Sequence, residues 1–291
     1  MPAGCSSTRP RRIGGWPVAD VARWPCTEAE YFASPRLSRS RLEVFMDAPR
    51  LYAGRYITGD IAEPAPTAAL RWGRLVHLRV LEPYEFRHKV FVKPPTLNRR
   101  SNAGNTELDR LEAEGMLAVS MEEERRLEAI AAAVLAHPLA GRMVEGSDRE
   151  VAYTWRDDAT GLDCRARLDL VSIRRGAAVV VDLKSTDDPS PRAFGRSAGN
   201  YGYHRQAAFY SRPIRELVGT PPMFCFIAVR STAPFEVALY KLHPEDLVAA
   251  DAQLDRALKQ LAECTDTNTW SAPWESPTVQ SLDIPRWALE V

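Results

Sequence analysis

Residues 150–186 hold the feature that most restricts how this chain can fold: three consecutive stretches of period-two hydrophobicity, separated by short turns. EVAYTWRD sets Val151, Tyr153 and Trp155 on one face, and DDATG turns. LDCRARLDLVSI sets Cys164, Ala166, Leu168 and Leu170 on one side and Arg165, Arg167 and Asp169 on the other. RRGAA turns again, and VVVDLKST follows. Side chains alternate along a strand, and strands joined by such short turns pair antiparallel. The expectation is an antiparallel meander at the centre of the chain.

The last of these strands ends in an acid and a base. Asp182 and Lys184 share a face, while Val181 and Leu183 point the other way, into a core. Pairing across RRGAA brings Asp169 close to Asp182, and Glu150, at the start of the first strand, can join them. Carboxylates converging at a strand end repel one another. A hard divalent cation relieves that repulsion, and oxygen donors suit Mg²⁺ or Mn²⁺. A lysine beside such an ion can orient a water and offset charge on a phosphate. By itself, D-x-K reads as an ordinary ion pair on an exposed strand end; the company of Asp169 and Glu150 favours a metal site.

The flanking sequence is helical. LSRSRLEVFMDAPRLY predicts a helix with capping-box spacing at Ser40 and Glu43 and a break at Ala48-Pro49. TAALRWGRLVHLRVL, 67–81, predicts a second, stopped by Glu82-Pro83, and KVFV (89–92) a short strand. Residues 98–115 read as a loop entering a helix. Residues 121–140 read as an alanine-rich helix with an acidic start. SPRAFGRSAGNYGYHRQ reads as a basic, aromatic loop, followed by a helix from Gln206, two strands (MFCFIAVR and FEVALYKL) and a closing helix over 244–264. Residues 1–35 read as a loosely ordered extension, 36–264 as one folded domain, and 265–291 as a tail rich in Pro and Trp.

Charge narrows the function little. Lys+Arg and Asp+Glu both number 38, so no global basic field announces a polyanionic partner, although a local basic groove remains compatible. No apolar run approaches the roughly 18 residues of a membrane span, and the N-terminus lacks a signal-peptide apolar core. A cytoplasmic protein is expected. The five cysteines form no CxxC pair, which disfavours a zinc ribbon, and they read as reduced thiols.

E(150)…RARLDL…VVVDLKST resembles the core of the PD-(D/E)XK nuclease superfamily, and specifically the RecE-type, exonuclease VIII-like group of prophage exonucleases. Four further stretches fit that group in order: the opening helix LSRSRLEVFMDAPRLY, the G-x-x-x-H helix with Gly73 and His77, the 150–186 meander itself, and the Q-x-x-x-Y helix with Gln206 and Tyr210. The likeness spans about residues 36–215; the literal Pro-Asp dipeptide is absent. It implies an α/β fold, a central mixed sheet flanked by helices, with the site at one sheet edge. It implies catalytic Asp182, Lys184, Asp169 and Glu150. Metal ligands would come from Asp169, Asp182, His77 and the Leu183 backbone carbonyl. Gln206 and Tyr210 would lie beside the active site and the DNA strand, with Ser38, Ser40, Arg165 and Arg167 as phosphate contacts. The implied reaction is Mg²⁺-dependent (or Mn²⁺-dependent) hydrolysis of linear duplex DNA from its ends, 5′→3′, in phage-type recombination. A ring-like homo-oligomer and a single-strand annealing protein are the implied partners. Two other readings stay open. One is a single-strand or structure-specific nuclease like the superfamily's iron–sulfur members, whose cysteine triplet this chain lacks. The other is a non-catalytic DNA-binding module of the same fold.

Overall fold

The computed structural model describes residues 21–97, 101–272, 274–275, 277–286 and 289. Residues 1–20, the start of the 98–115 loop, Cys5 and Trp287 lie outside the described residues. Along the chain run β1 (Ala22–Arg23), α1 (Glu28–Ala33), α2 (Arg39–Asp47), α3 (Pro49–Tyr56), α4 (Ala68–Leu81), α5 (Pro83–Lys89) and β2 (Val90–Lys93). There follow α6 (Asn102–Ala113), β3 (Leu117–Ser120), α7 (Met121–Ala136) and α8 (Ala140–Glu145). The second half holds β4 (Asp148–Arg156), β5 (Asp163–Arg174), β6 (Ala177–Thr186), α9 (Pro191–Asn200), α10 (Tyr203–Val218), β7 (Met223–Arg230), β8 (Val237–Lys241) and α11 (Pro244–Thr267).

Local chemistry sets these boundaries. Thr67 caps α4 through the Leu70 amide, and Pro83 both ends that helix and opens α5. Ser120 and Glu123 close a capping box on α7, and Glu122, Glu123 and Glu124 complement the positive end of its dipole. Pro49 separates α2 from α3, as the sequence predicts. The cap of α2 is Ser38, accepting from the Arg41 amide, rather than the expected Ser40. Residues 21–35, read as loosely ordered, instead carry β1 and α1, and α1 has its own capping box from Thr27 and Glu30.

The meander forms the sheet. Its order is β1-β4-β5-β6-β7-β8, antiparallel throughout except for the parallel pair β6–β7. A separate parallel pair joins β2 to β3. Helices cover both faces. One layer packs Leu42, Phe45, Phe209, Ile214, Leu254 and Leu258 from α2, α10 and α11 against Val151, Tyr153 and Leu168. The other packs Leu75, Leu78, Leu127 and Ile130 from α4 and α7 against Val181, Leu183 and Ile227. Leu170 was expected on the face of Cys164, Ala166 and Leu168. It joins the opposite layer, because strict alternation in β5 breaks at Asp169. Cys26, Cys164, Cys225 and Cys264 are free thiols. The chain past 264 is partly anchored: Trp270 stacks on Tyr52 at 5.9 Å, and Glu275 pairs with Arg50 at 3.1 Å.

Candidate active site

The site opens where the meander comes apart. The last pair between β5 and β6 is Leu170 with Val181, so beyond Asp169 and Asp182 the two strands diverge. On the other side of β5, pairing with β4 lapses at Glu150, which takes a left-handed backbone conformation, φ 49°. A non-glycine residue there costs on the order of 1–3 kcal/mol, and such positions gather at functional sites. Asp169 bridges the gap by accepting the Leu183 amide at 2.8 Å. The strands stay in one sheet while three acids turn inward.

Three donor groups converge in this opening: His77, Glu150 and Asp169, with one donor atom of each within 4.8 Å of the others. His77 comes from α4, in the layer beneath the sheet. Its Nε2 lies 2.8 Å from the Leu183 carbonyl, and its Nδ1 faces Glu150 Oε1 at 3.5 Å and Asp169 Oδ2 at 3.6 Å. With Nε2 donating to that carbonyl, Nδ1 is the nitrogen left for a cation. Burial opposes the imidazolium, but Asp169 and Glu150 outweigh it and raise the His77 pKa to about 9. The Leu183 carbonyl, expected as a metal ligand, is thus engaged by His77.

Asp182 faces a second group. It is 1 % exposed; Oδ1 accepts from Gln206 Nε2 at 2.7 Å, and Oδ2 lies 2.5 Å from Lys184 Nζ. The lysine contact is electrostatic, and Oδ2 has no aligned hydrogen-bond donor. Burial pushes the Asp182 carboxyl up to about 6 despite Lys184. It also pushes Asp169 up, against the pull of His77. Burial opposes the Lys184 ammonium as well, yet Asp182 and Asp169 hold its pKa above the ordinary lysine value. Burial, working against the neighbouring His77 and Lys184, is what makes these acids resist ionising.

This donor set fits a hard divalent cation: two carboxylates, one imidazole and a further buried carboxylate oxygen with spare capacity. The fit differs in one respect from the expectation. Glu150 is in the converging trio, whereas Asp182, expected as a ligand, is turned toward Lys184 and Gln206, which sit on its own side of the sheet.

The remaining predicted residues fall at varied distances from this centre. Gln206 is buried against Asp182. Tyr210, one turn on, is half-buried; burial raises its hydroxyl pKa, and Tyr31, Asp182 and Asp169 lie in its field. Arg167 pairs with Glu150 Oε2 at 3.0 Å. Arg165 is 3 % exposed, and its Nε and Nη1 have no partner. Ser38 is buried and shares a hydrogen bond with exposed Ser40 at 3.0 Å. It lies near Arg165, because Leu37 bridges Cys164.

Two aromatic rings neighbour these charges: Tyr203, which belongs to the basic, aromatic stretch noted in the sequence with Arg192, Arg196, Tyr201 and His204, and Tyr31, which the sequence alone does not single out. The Tyr203 ring covers Lys184 Nζ at 4.9 Å. Tyr31 lies under Arg165 at 4.5 Å and Arg167 at 5.3 Å. The stretch expected as a loop from 187 is mostly α9, whose Phe194 packs on Phe226 and Tyr240. For Tyr31 the available signal was the Thr27-Glu-Ala-Glu30 capping spacing, which marks an ordered helix.

With this geometry described, comparison with known proteins decides the family. A PDDEXK-like domain of unknown function (DUF3799) matches residues 38–279. The chain belongs to that family. A crystal structure of a candidate exonuclease from Eubacterium rectale shares the PDDEXK-like chain's fold, at 15 % identity and a TM-score of 0.57, over 91 % of this chain and 98 % of that one. A second crystal structure, of SSO0001, aligns at 14 % identity over 81 % of this chain and 86 % of that one; its TM-score of 0.30 carries no argument. No curated protein matches the sequence. No helix among the described residues is long and apolar enough to cross a membrane.

Proposed function

We propose that this PDDEXK-like chain is a divalent-metal-dependent exonuclease that hydrolyses phosphodiester bonds of linear duplex DNA. The observation that carries the reading is the convergence of His77, Glu150 and Asp169 beside the buried Asp182–Lys184–Gln206 group. His77, Glu150 and Asp169 would hold Mg²⁺ or Mn²⁺, with Asp182 Oδ2 as a further donor. When bound, the ion neutralises charge on the scissile phosphate and makes a water acidic enough to attack at neutral pH.

The protein groups have separate tasks in this reading. Lys184 orients the nucleophile and offsets charge developing on the phosphate, where fixed charges act most strongly. Asp182 and the Tyr203 ring fix its ammonium in place. Gln206 holds Asp182 in one orientation, with Oδ2 against Lys184. By the RecE-type resemblance Tyr210 and Arg167 would flank the DNA strand, and Ser38, Ser40 and Arg165 would contact a phosphate. The nuclease unit is taken as residues 36–264. Polarity 5′→3′, a ring-like oligomer, a single-strand annealing partner and a cytoplasmic phage-type recombination role rest on the RecE-type resemblance.

The test is digestion of 5′-labelled and 3′-labelled linear duplex, and of closed circular DNA, in Mg²⁺ or EDTA. The reading expects stepwise loss of the 5′ label first, sparing of the circle, and no product in EDTA. Unchanged cleavage in excess EDTA, or equal attack on the circle, would contradict it.

A further inference from the structure

We infer that the aromatic cluster of Trp24, Tyr31 and Phe32 is a binding site for an unpaired nucleotide of the DNA strand, its base stacked on Phe32. The inference rests on the nuclease reading above and narrows the substrate at that site from duplex to a locally opened strand.

The cluster borders a cavity of about 1060 Å³ whose wall also includes Glu150 and Arg167. Glu150 belongs to the trio that faces His77, so the cavity adjoins the proposed metal site. Tyr31 stands 6.0 Å from Trp24, and Phe32 meets Tyr31 edge-on at 5.5 Å. Phe32 is 59 % exposed, although it sits on a helix fixed by the Thr27–Glu30 capping box. Despite its contacts with Tyr31 and Arg167, most of this large apolar ring faces solvent beside a charged site.

Charge surrounds the rings. Arg36 lies over Trp24 at 5.4 Å, Arg165 over Tyr31, and Arg167 over both Tyr31 and Phe32, the latter at 5.7 Å. Among the described residues, Arg167 alone of these three has an ion-pair partner. Arg165 is buried with two idle N–H groups, an uncompensated charge. The cavity wall is charge-balanced, five glutamates against four arginines and Lys89, and Glu28 and Glu85 are matched by Arg74 and Lys89 at 3.1 to 3.2 Å. The positive charge that remains lies at the rings themselves, on Arg36 and Arg165, and aromatic rings beside such arginines suit a strand's alternation of flat bases and anionic phosphates. A base inside a duplex has both faces covered, so the base that offers a face to Phe32 is one at the strand's end, and it can follow the strand into the cavity only when unpaired.

The experiment measures binding of a single-stranded oligonucleotide and of a closed circular duplex to the full chain in Ca²⁺, with 5-iodo-deoxyuridine in the strand for photo-crosslinking. Phe32→Ala should weaken single-strand binding roughly tenfold, the loss of one stacked base. It should leave circular-duplex binding within about twofold and remove a crosslink mapping to residues 24–36. Phe32→Tyr should restore single-strand affinity and the crosslink. Equal single-strand affinities for wild type and Phe32→Ala, or a crosslink that maps elsewhere or survives Phe32→Ala, would overturn the inference. So would a loss shared by circle and single strand together with a lowered Tm, which assigns Phe32 to packing. Wild-type cleavage run in parallel keeps the two ideas apart: if Phe32→Ala behaves as wild type while wild type cuts DNA, only this inference falls.

Discussion

In the metal-free protein the His77 imidazolium occupies the place of a cation, held protonated up to about pH 9 by Asp169 and Glu150 in spite of its burial. A metal at Nδ1 must displace that proton, because only the neutral ring is a ligand. Below pH 9 the proton competes, so metal affinity should rise as pH rises toward that value. Titration calorimetry of Mn²⁺ at pH 7.5, in two buffers of different ionisation enthalpy, should report release of about one proton per ion, and His77→Ala should lose it. A heat independent of buffer would remove His77 from the ligand set. Sequence made some of these residues legible. Strand parity alone aligns Asp182 with Lys184 and sets Asp169 on the adjoining strand. The left-handed turn at Glu150 and the pairing of Asp182 with Gln206 arise from tertiary contacts, which no local pattern encodes.

Helix boundaries were readable at Thr67, Pro49 and Ser120, each marked by a cap or a proline. α1 and α9 were not. α1 has six residues, too few for a period to show, and α9 is rich in glycine, serine and asparagine, which favour turns. Packing of Phe194 against the sheet overrides that preference. The junction of α9 with α10 also explains a glycine. Gly202 has φ 63°, and a Cβ there would meet Arg205 Nη2 at 2.6 Å and Arg39 Nη2 at 2.8 Å. Arg205 pairs with Glu43 through two contacts of 2.7 Å, fixing α10, and with it Gln206, to α2. Gly202→Ala should therefore cost about 1–2 kcal/mol from the left-handed backbone alone. A urea unfolding midpoint shift at constant slope measures it; a change below about 0.5 kcal/mol, within the range of ordinary surface substitutions, would show that the arginines move aside freely.

At the scale of the whole molecule, three segments meet at one buried cation. Arg212 of α10, 5 % exposed, pairs with Asp157 at the β4–β5 turn at 3.2 Å and with Asp251 and Asp255 of α11, each at 2.7 Å. Removing it leaves the half-buried Asp157 without its cation, while Asp251 keeps Arg215 at 3.0 Å. Arg212→Ala should cost about 3–5 kcal/mol by chemical denaturation, and a loss under about 1 kcal/mol would show the cluster to be solvated. The parallel pairing of β6 with β7, and the division of helices between the two layers, could not be read from one chain, since they depend on contacts distant in sequence. Those contacts deliver His77 from one layer and Gln206 from the other to the same strand end. The proposal that this convergence is a nuclease centre is tested most directly by Lys184→Ala, in single-turnover cleavage of a linear duplex with Mg²⁺, alongside duplex affinity in Ca²⁺. Loss of one fixed charge from the transition state costs roughly 10²–10³ in rate, while ground-state affinity is spread over many phosphate contacts and should barely change. The account predicts that loss of cleavage with retained binding, unrescued by added Mn²⁺; cleavage near the wild-type rate would contradict it and leave Asp182 and Lys184 as a buried ion pair.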